Sequence, residues 1–466
     1  MLKKITFDPV VTTIFLVGLA SRLLFSFWGS KFYYGQLTYT FGDSFSYTQS
    51  IINLIQIGTY SFDLSNPDAA LYRGPTYPIF WGLHYLIFGD KAYLAVAVTQ
   101  SILDVFSGFL IYLILQKAGY GKLTGVLGMT LYLITPTLLV HVPITGTETF
   151  GIFITLLVAY AAVSFKSKKG LFAIGVLCGI ALMTRQYLGL LLPIAILYAT
   201  SHGQKLISLR STITASMITA GFLTVVSPWF LRNWINHDAP TVLMGKTTGY
   251  EAYNIDYLAF NRFYTLYFVD VTPIVKNIAV NGNDGLIYDE KIEKYSEELK
   301  EAAFLSKTCG SSFAQWRAYA LNAPQELEIN CNEEISKRYM DLRQRVLEEQ
   351  GISRNIEVPL KNVGKALFKS ELTKSAGDFK DKIINTVFMY RTALIALGLA
   401  AIFLIPRNRL KIFIIFPIAL ILYISFITRQ VEIRYLAQAD ALLIIFSAIS
   451  LYALLYKIPK MQRILE

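Results

Sequence analysis

Long apolar runs separated by short charged loops set the pattern of the chain. Residues 9–28, 93–116, 123–141, 150–165, 171–183, 187–200, 212–231, 384–405, 412–427 and 436–456 are such runs. A helix rises about 1.5 Å per residue and needs about 20 apolar residues to cross a hydrocarbon layer about 30 Å thick. These ten runs therefore predict about ten transmembrane helices, the short pair 171–183 and 187–200 being the marginal ones. Thr184, Arg185 and Gln186 separate that pair. A hairpin keeps the basic loops before and after it on one side, whereas a single long helix would split them.

Two longer polar connections remain. In the first, residues 29–92, the stretch Ser44–Ile57 has the spacing of an amphipathic helix, with Phe45, Ile51, Ile52, Leu54 and Ile55 placed for the membrane interface. Residues 79–88 are apolar but too few to span, so they are expected along the membrane surface. The second connection, 232–383, mixes aromatic residues with helical charge patterns at 289–302 and 332–349. Pro, Gly and Ser are not concentrated in it, which predicts a folded extramembrane domain rather than a linker. The expected fold class is an all-α polytopic membrane protein carrying a mainly helical or α+β extramembrane domain. Its regions are 1–231, 232–383 and 384–466.

Composition agrees: 54% of the 466 residues are hydrophobic and only 16% are charged. The net charge of +11 does not imply nucleic acid, because many basic residues occupy the short loops. Lys3 and Lys4, Lys117 and Lys122, Lys166, Lys168 and Lys169, Lys205 and Arg210, Arg407, Arg409 and Lys411, and Lys457, Lys460 and Arg463 fall on one side, opposed only by Asp8 and Glu466. That asymmetry marks the cytoplasmic face of an inner or plasma membrane and puts both termini there. Residues 9–28 are long and lack a small-residue cleavage site, so they read as a permanent span rather than a removable leader. Cys178 lies in an apolar run, while Cys309 and Cys331 share the long outer connection, where they are either a disulfide or two isolated thiols.

The candidate chemistry gathers on the opposite face. Asp43 precedes the amphipathic stretch, as a general base or as a helix cap. Arg73 precedes Gly-Pro-Thr-Tyr-Pro78, whose prolines restrict the backbone, so its guanidinium suits a phosphate or lipid headgroups. Glu148 opens the fourth run, as a functional acid or a helix-start acid, and Arg185, Arg232 and Arg434 mark run ends. Several cations and one or two carboxylates at the mouth of an apolar bundle suit a substrate with a phosphate and a long lipid tail. His-Glu-x-x-His, a Walker loop, Gly-x-Ser-x-Gly and Cys-x-x-Cys are all missing, and the histidines at 84, 141, 202 and 237 are dispersed, which disfavours a zinc site. Asp104, one turn after Gln100, is the one buried acid that would suit a transporter, and a polar contact between helices explains it equally.

Six short stretches together resemble the GT-C membrane glycosyltransferases, in particular the bacterial relatives of protein O-mannosyltransferases and of the lipid A aminoarabinose transferase. They are Gly42-Asp43-Ser44 with Tyr47, Arg73-Gly-Pro-Thr-Tyr-Pro78 leading to Phe88-Gly89, Thr147-Glu148-Thr149, Thr184-Arg185-Gln186, Ser227-Pro-Trp-Phe-Leu-Arg-Asn233, and Arg434-Tyr435. The resemblance implies a sugar moved with inversion from a polyprenyl-phosphate donor to a hydroxyl of a protein, glycolipid or polysaccharide. It casts Asp43 as base and Glu148 as a second acidic position. Arg73, Arg232, Arg434 and Arg185 become donor-phosphate ligands, and Tyr47, Tyr77 and Tyr435 line an acceptor and sugar pocket. Relatives often carry two adjacent acids where this chain has Asp43 followed by Ser44, so a divalent metal is not favoured and no cofactor is expected. The alternatives are a related oligosaccharide ligase or polymerase, or a lipid or sugar transporter.

Overall fold

Helix starts follow local chemistry. Asp8 accepts from the Val10 amide with Pro9 in the first helical turn, and the Ser167 and Ser208 hydroxyls cap two later helices in the same way. The computed structural model describes the chain except residues 1–7, 36–38, 41–42, 65–66, 202–207, 243–254, 287–291, 309–312, 314–316, 318–320, 322–330, 369–378, 405–407, 430 and 457–466. The described residues contain helices and no strand. The fold is therefore all-α among the described residues, and the outer domain takes the mainly helical form of the two expected.

In chain order the α-helices are α1 (Pro9–Leu24), α2 (Ser30–Tyr34), α3 (Ser44–Ile57), α4 (Thr76–Phe88), α5 (Ala92–Lys117), α6 (Gly121–Leu133), α7 (Pro136–Leu139), α8 (Thr147–Ser164), α9 (Lys168–Thr184), α10 (Leu191–Thr200) and α11 (Leu209–His237). They continue as α12 (Ile255–Tyr264), α13 (Thr272–Asn281), α14 (Ser296–Thr308), α15 (Asn332–Gln350), α16 (Arg354–Phe368), α17 (Phe379–Leu404), α18 (Ile415–Leu422) and α19 (Ile433–Tyr456).

Seven helical stretches among the described residues are long and apolar enough to cross a membrane: Pro9–Tyr34, Thr76–Lys117, Thr147–Ser164, Leu209–His237, Lys382–Leu404, Arg409–Thr428 and Ile433–Tyr456. The chain is a multi-pass membrane protein, and its described residues hold seven full-length spans beside the ten runs expected. The run at 123–141 divides because the chain turns extended at Thr135 before Pro136, ending α6 and starting the short α7. The pair at 171–200 is two helices, with Arg185 extended between them, and α10 packs back on α9. That is the expected hairpin, built from helices shorter than a full span. Thr76–Lys117 is interrupted at Gly89, whose φ of 54° admits glycine most readily, so α4 packs on α5 instead of continuing into it.

The helical units pack by close approach and by buried ion pairs. In α9 and α11, a Cβ on Gly175 would lie 1.8 Å from the Ile218 carbonyl oxygen and one on Gly221 2.0 Å from that of Phe172, so only glycine lets these backbones cross. Asp104 is not the lone buried acid of the sequence pattern. Its carboxylate receives Arg22 Nε at 2.8 Å and the Tyr132 hydroxyl at 2.6 Å, joining α1, α5 and α6. A second pair escaped notice in the sequence: Arg391 of α17 grips Asp440 of α19 through Nε at 2.6 Å and Nη2 at 2.9 Å. Burying either partner of such a pair alone is strongly unfavourable, so each pair fixes which helices are neighbours.

The chain divides into two compact units, Met1–Val242 with Leu367–Ile421 and Ile433–Glu466, and Leu243–Ala366 with Leu422–Glu432. The first carries the membrane helices described above, except that residues 422–428 of the stretch Arg409–Thr428 fall in the second. There α3 has the predicted bounds, and Phe45, Leu54 and Ile55 are exposed as expected. Ile51 is a correction: it is buried against Trp81, Ala92 and Val96, not open to an interface. The second unit is a helical domain whose core includes Phe260, Phe263, Val275, Leu299, Ile335, Tyr339 and Val346. Its helix α15 matches the pattern at 332–349, and α14 takes up the later part of 289–302. Cys178 is a buried free thiol. Cys309 lies outside the described residues, and its pairing with Cys331 lies outside them too.

Candidate active site

Asp43 occupies the cap position of α3, yet its side chain makes no capping bond. The carboxylate is drawn off by arginines. Arg73 Nη2 donates to Asp43 Oδ1 at 2.8 Å, and Arg434 Nη1, from the first turn of α19, donates to Oδ2 at 3.1 Å. The last helix starts earlier than the apolar run at 436–456, which is why Arg434 is a helical residue here.

Arg73 is held from every side. Its Nε donates to Ser46 Oγ at 2.8 Å and its Nη1 to the Tyr47 hydroxyl at 3.0 Å, and its guanidinium lies 4.3 Å from the ring centres of both Tyr47 and Tyr72. Asp43, Ser46 and Tyr47 have the three- and four-residue spacing of one helix face. That spacing could have identified Ser46, which sequence reasoning missed, and Tyr72 is the direct neighbour of Arg73. The loop carrying Arg73 is pinned in turn, because the Tyr60 hydroxyl donates to the Arg73 carbonyl at 2.9 Å.

The carboxylate of Asp43 is 37% exposed while Arg73 and Arg434 are 15% and 22% exposed, so an incoming group can reach the acid and its cations together. Burial pushes the Asp43 pKa up, but the charges of Arg73, Arg434 and Arg185 outweigh it and hold the group down at about 2. Asp43 is therefore ionised at neutral pH.

A second pair lies behind Tyr435. Arg185 donates to Glu148, to Thr147 Oγ1 and, at 2.5 Å, to the Tyr187 hydroxyl. Glu148 and Arg185 are each only 8% exposed. The carboxylate folds back beneath the start of α8, where a Cβ on Gly146 would meet Glu148 Oε2 at 2.6 Å. Gln438 clamps this corner: it accepts from Tyr187 at 3.1 Å and donates to the Glu148 carbonyl at 3.3 Å. It also escaped the sequence analysis, although it sits one turn after Arg434. Tyr435 links the two pairs, accepting from Arg434 Nη2 at 3.2 Å with the Arg185 guanidinium 5.7 Å from its ring centre.

The remaining predicted residues fall around this centre. Arg232 stacks on Trp229 at 4.6 Å and donates to the carbonyls of Ala70 at 2.9 Å and Tyr60 at 3.2 Å, so it braces the loop that holds Arg73. Tyr77 is fully buried, stacks edgewise on Tyr47 and donates to Gln100 at 3.0 Å, supporting Tyr47 from behind. Gln100 in turn donates to the Val142 and Ile144 carbonyls, both at 2.8 Å, and the Ser44 hydroxyl donates to the Thr145 carbonyl at 2.6 Å. These bonds tie the Asp43 segment to the one leading into Glu148.

Residues 72–231 match the family profile described as dolichyl-phosphate-mannose-protein mannosyltransferase. No curated protein sequence matches the chain. Among solved structures, the archaeal oligosaccharyltransferase AglB from Archaeoglobus fulgidus, in complex with an inhibitory peptide and a dolichol-phosphate, is similar with a TM-score of 0.52 at 13% identity, over 98% of this chain and 51% of that one. The same organism's oligosaccharyltransferase in the apo form is similar with a TM-score of 0.50 at 14% identity, over 98% and 51% of the two chains. The chain thus spans about half the length of the solved proteins it resembles. The profile match runs from Tyr72, beside Arg73, to the end of the 212–231 run, and the chain has a membrane fold similar to that of the archaeal oligosaccharyltransferase.

Proposed function

We propose that the chain transfers a sugar from a polyprenyl-phosphate donor to an acceptor hydroxyl by a single inverting displacement. The observation that carries the reading is the partly open carboxylate of Asp43 held between Arg73 and Arg434, which lie hundreds of residues apart in sequence. The family profile points to a phosphate-linked mannose donor and a protein acceptor, and the similar archaeal enzyme was captured with a dolichol-phosphate and a peptide. A glycolipid or polysaccharide acceptor fits the same chemistry. The one-sided basic loops support a site on the extracytoplasmic face, where a lipid carrier supplies activated sugar.

The acceptor oxygen attacks the anomeric carbon and its proton passes to Asp43, while the bond to the phosphate oxygen breaks and its electron pair leaves with the phosphate. Phosphate monoester is a weak base, so the departing group needs positive charge more than a proton. Arg434 is the better placed donor, because its bond to Asp43 is the longer of the two and its side chain is the more exposed. A phosphate drawing on Arg434 also relieves Asp43 of part of the field that suppresses its basicity. Donor binding thus readies the base.

Glu148 and Arg185 are assigned to holding the start of α8 against α19, and Arg232 to bracing the Arg73 loop. Among the described residues no three His, Cys, Asp or Glu side chains converge, and both acids near the site face guanidinium groups. This donor set suits an anion better than a divalent cation.

The test is transfer by the full chain in proteoliposomes supplied with a panel of polyprenyl-phosphate monosaccharides and peptide or glycolipid acceptors. Asp43→Asn should lower turnover by about 10³-fold while the protein still melts as the wild type does. Undiminished transfer by that variant would sink the proposal. Transfer only from diphosphate-linked oligosaccharides would favour the ligase reading.

A further inference from the structure

The helical domain formed by Leu243–Ala366 and Leu422–Glu432 treats its arginines unequally. Arg338, Arg345 and Arg354 each meet a glutamate. Arg343 of α15 and Arg429 do not: among the described residues no carboxylate lies within ion-pair distance of either, nor of Arg262 in α12. Instead, both guanidinium groups converge on one neutral oxygen, Asn355 Oδ1. Arg343 Nη2 reaches it at 3.4 Å, and Arg429 Nη2 donates to it and, at 3.1 Å, to the Asn355 carbonyl.

Two like charges sharing an uncharged acceptor is an unfavourable arrangement in a half-buried place. Arg343 Nε, Arg429 Nη1 and Asn362 Oδ1 are all buried with no hydrogen-bond partner. Burial, then the charge of Arg262, makes Arg343 harder to keep protonated, and burial, then Arg343, does the same to Arg429. Arg429 is also held at a φ of 55°, one of two non-glycine residues with positive φ among those described. Asn362 Nδ2, donating to the Arg429 carbonyl at 3.3 Å, helps keep it there. Unsatisfied donors and a strained backbone persist where something over-determines them. An open cleft lined by Met340, Gln344, Leu347 and Ile352, with Asp341 and Glu348 at its polar side, reaches Arg343.

The geometry points to an oxyanion site of the phosphate class, with Arg343 and Arg429 as ligands and Arg262 adding to the positive field. A phosphate oxygen bridging the two guanidiniums would satisfy the orphaned donors and cancel the repulsion. The same chemistry is offered by a lipid headgroup or by a free phosphate ester. Arg429 directly follows the apolar stretch Arg409–Thr428, which puts the first source within reach.

Melting temperatures of the full chain separate the sources. In detergent, inorganic phosphate is titrated against chloride at equal ionic strength. In nanodiscs, phosphatidylcholine is compared with phosphatidylcholine containing phosphatidylglycerol. A rise with phosphate assigns the site to a soluble phosphate ester, and a rise with phosphatidylglycerol alone assigns it to a headgroup. In either case Asn355→Asp, which puts a carboxylate between the arginines, should raise the melting temperature without ligand and remove the response. Arg343→Gln should remove the response as well, without lowering the ligand-free melting temperature. No response of the wild type to either probe, or an Asn355→Asp protein that responds as the wild type does, overturns the site.

Discussion

Among the described residues, arginines hold carboxylates at four places in the membrane unit, and these differ in one property. Arg22 with Asp104, Arg391 with Asp440 and Arg185 with Glu148 are all less than one-tenth exposed. The bridge of Arg73 and Arg434 over Asp43 is the open one, with a carboxylate 37% exposed. The residue types are the same in all four. A closed pair has traded water for a partner and can only be lost to structure, whereas an open bridge can exchange its partner for a ligand. Accessibility, rather than residue type, separates chemistry from architecture in this bundle.

The sharpest way to break that distinction is to open a closed pair. Arg391→Met leaves the Asp440 carboxylate buried without its bidentate partner and should destabilise the protein by about 3–5 kcal/mol, read as a large drop in melting temperature in detergent. Removing both charges with Arg391→Met and Asp440→Leu should restore most of the loss, because no charge is then stranded. If the single variant melted like the wild type, the closed pairs would carry no architecture.

Next in size is the loss from the open bridge. Arg434→Gln should lower turnover by about 10²- to 10³-fold, since it removes the cation placed to meet the departing phosphate. Melting should hardly change, because Arg434 and Asp43 both retain contact with water. A steady-state assay beside a melting curve reads both. A variant that loses stability and activity in parallel would put Arg434 with the closed pairs.

The two kinds of pair were unequally legible in the sequence. Glu148, Arg185 and Arg434 stand at the ends of apolar runs and Asp43 and Arg73 in the first polar connection, where charge is conspicuous, and the structure gathers all five in one neighbourhood. Which of them face each other could not be read, since the Arg434 contact spans 391 positions. Glu148 and Asp43 look alike in sequence, yet the turn at Gly146 folds one inward. Arg22 and Arg391 are single charges in helical stretches dominated by apolar residues, where hydropathy averages them away. Asp104 was visible, but without Arg22 it read as an isolated acid. The fold class followed from the length of the apolar runs, and α3 from its amphipathic spacing. The number of full spans among the described residues did not, because Thr135-Pro136 cuts the run at 123–141 that composition leaves continuous, and the expected hairpin at 171–200 is built from short helices.

The smallest effect tests how the bridge tunes its own base. Arg73, Arg434 and Arg185 overcome burial to hold the Asp43 pKa at about 2, below the range of an ordinary carboxylate. A depressed pKa of this kind favours the folded state above the unfolded carboxylate value, and the contribution fades as pH falls towards the folded one. For the proposed activity the sign is the same: in that mechanism Asp43 acts as a carboxylate, so kcat/KM, which reports the free enzyme, should show no acid limb from this group between about pH 4 and 7. Arg434→Gln removes one of the two cations bonded to the carboxylate, so its residual activity should fall off on acidification at a higher pH than in the wild type. The shift belongs to the open bridge alone. Gln438→Leu, which loosens the Glu148 corner without touching Asp43, should leave the acid limb where it is, and a limb that moved in that variant too would mean the two pairs titrate as one.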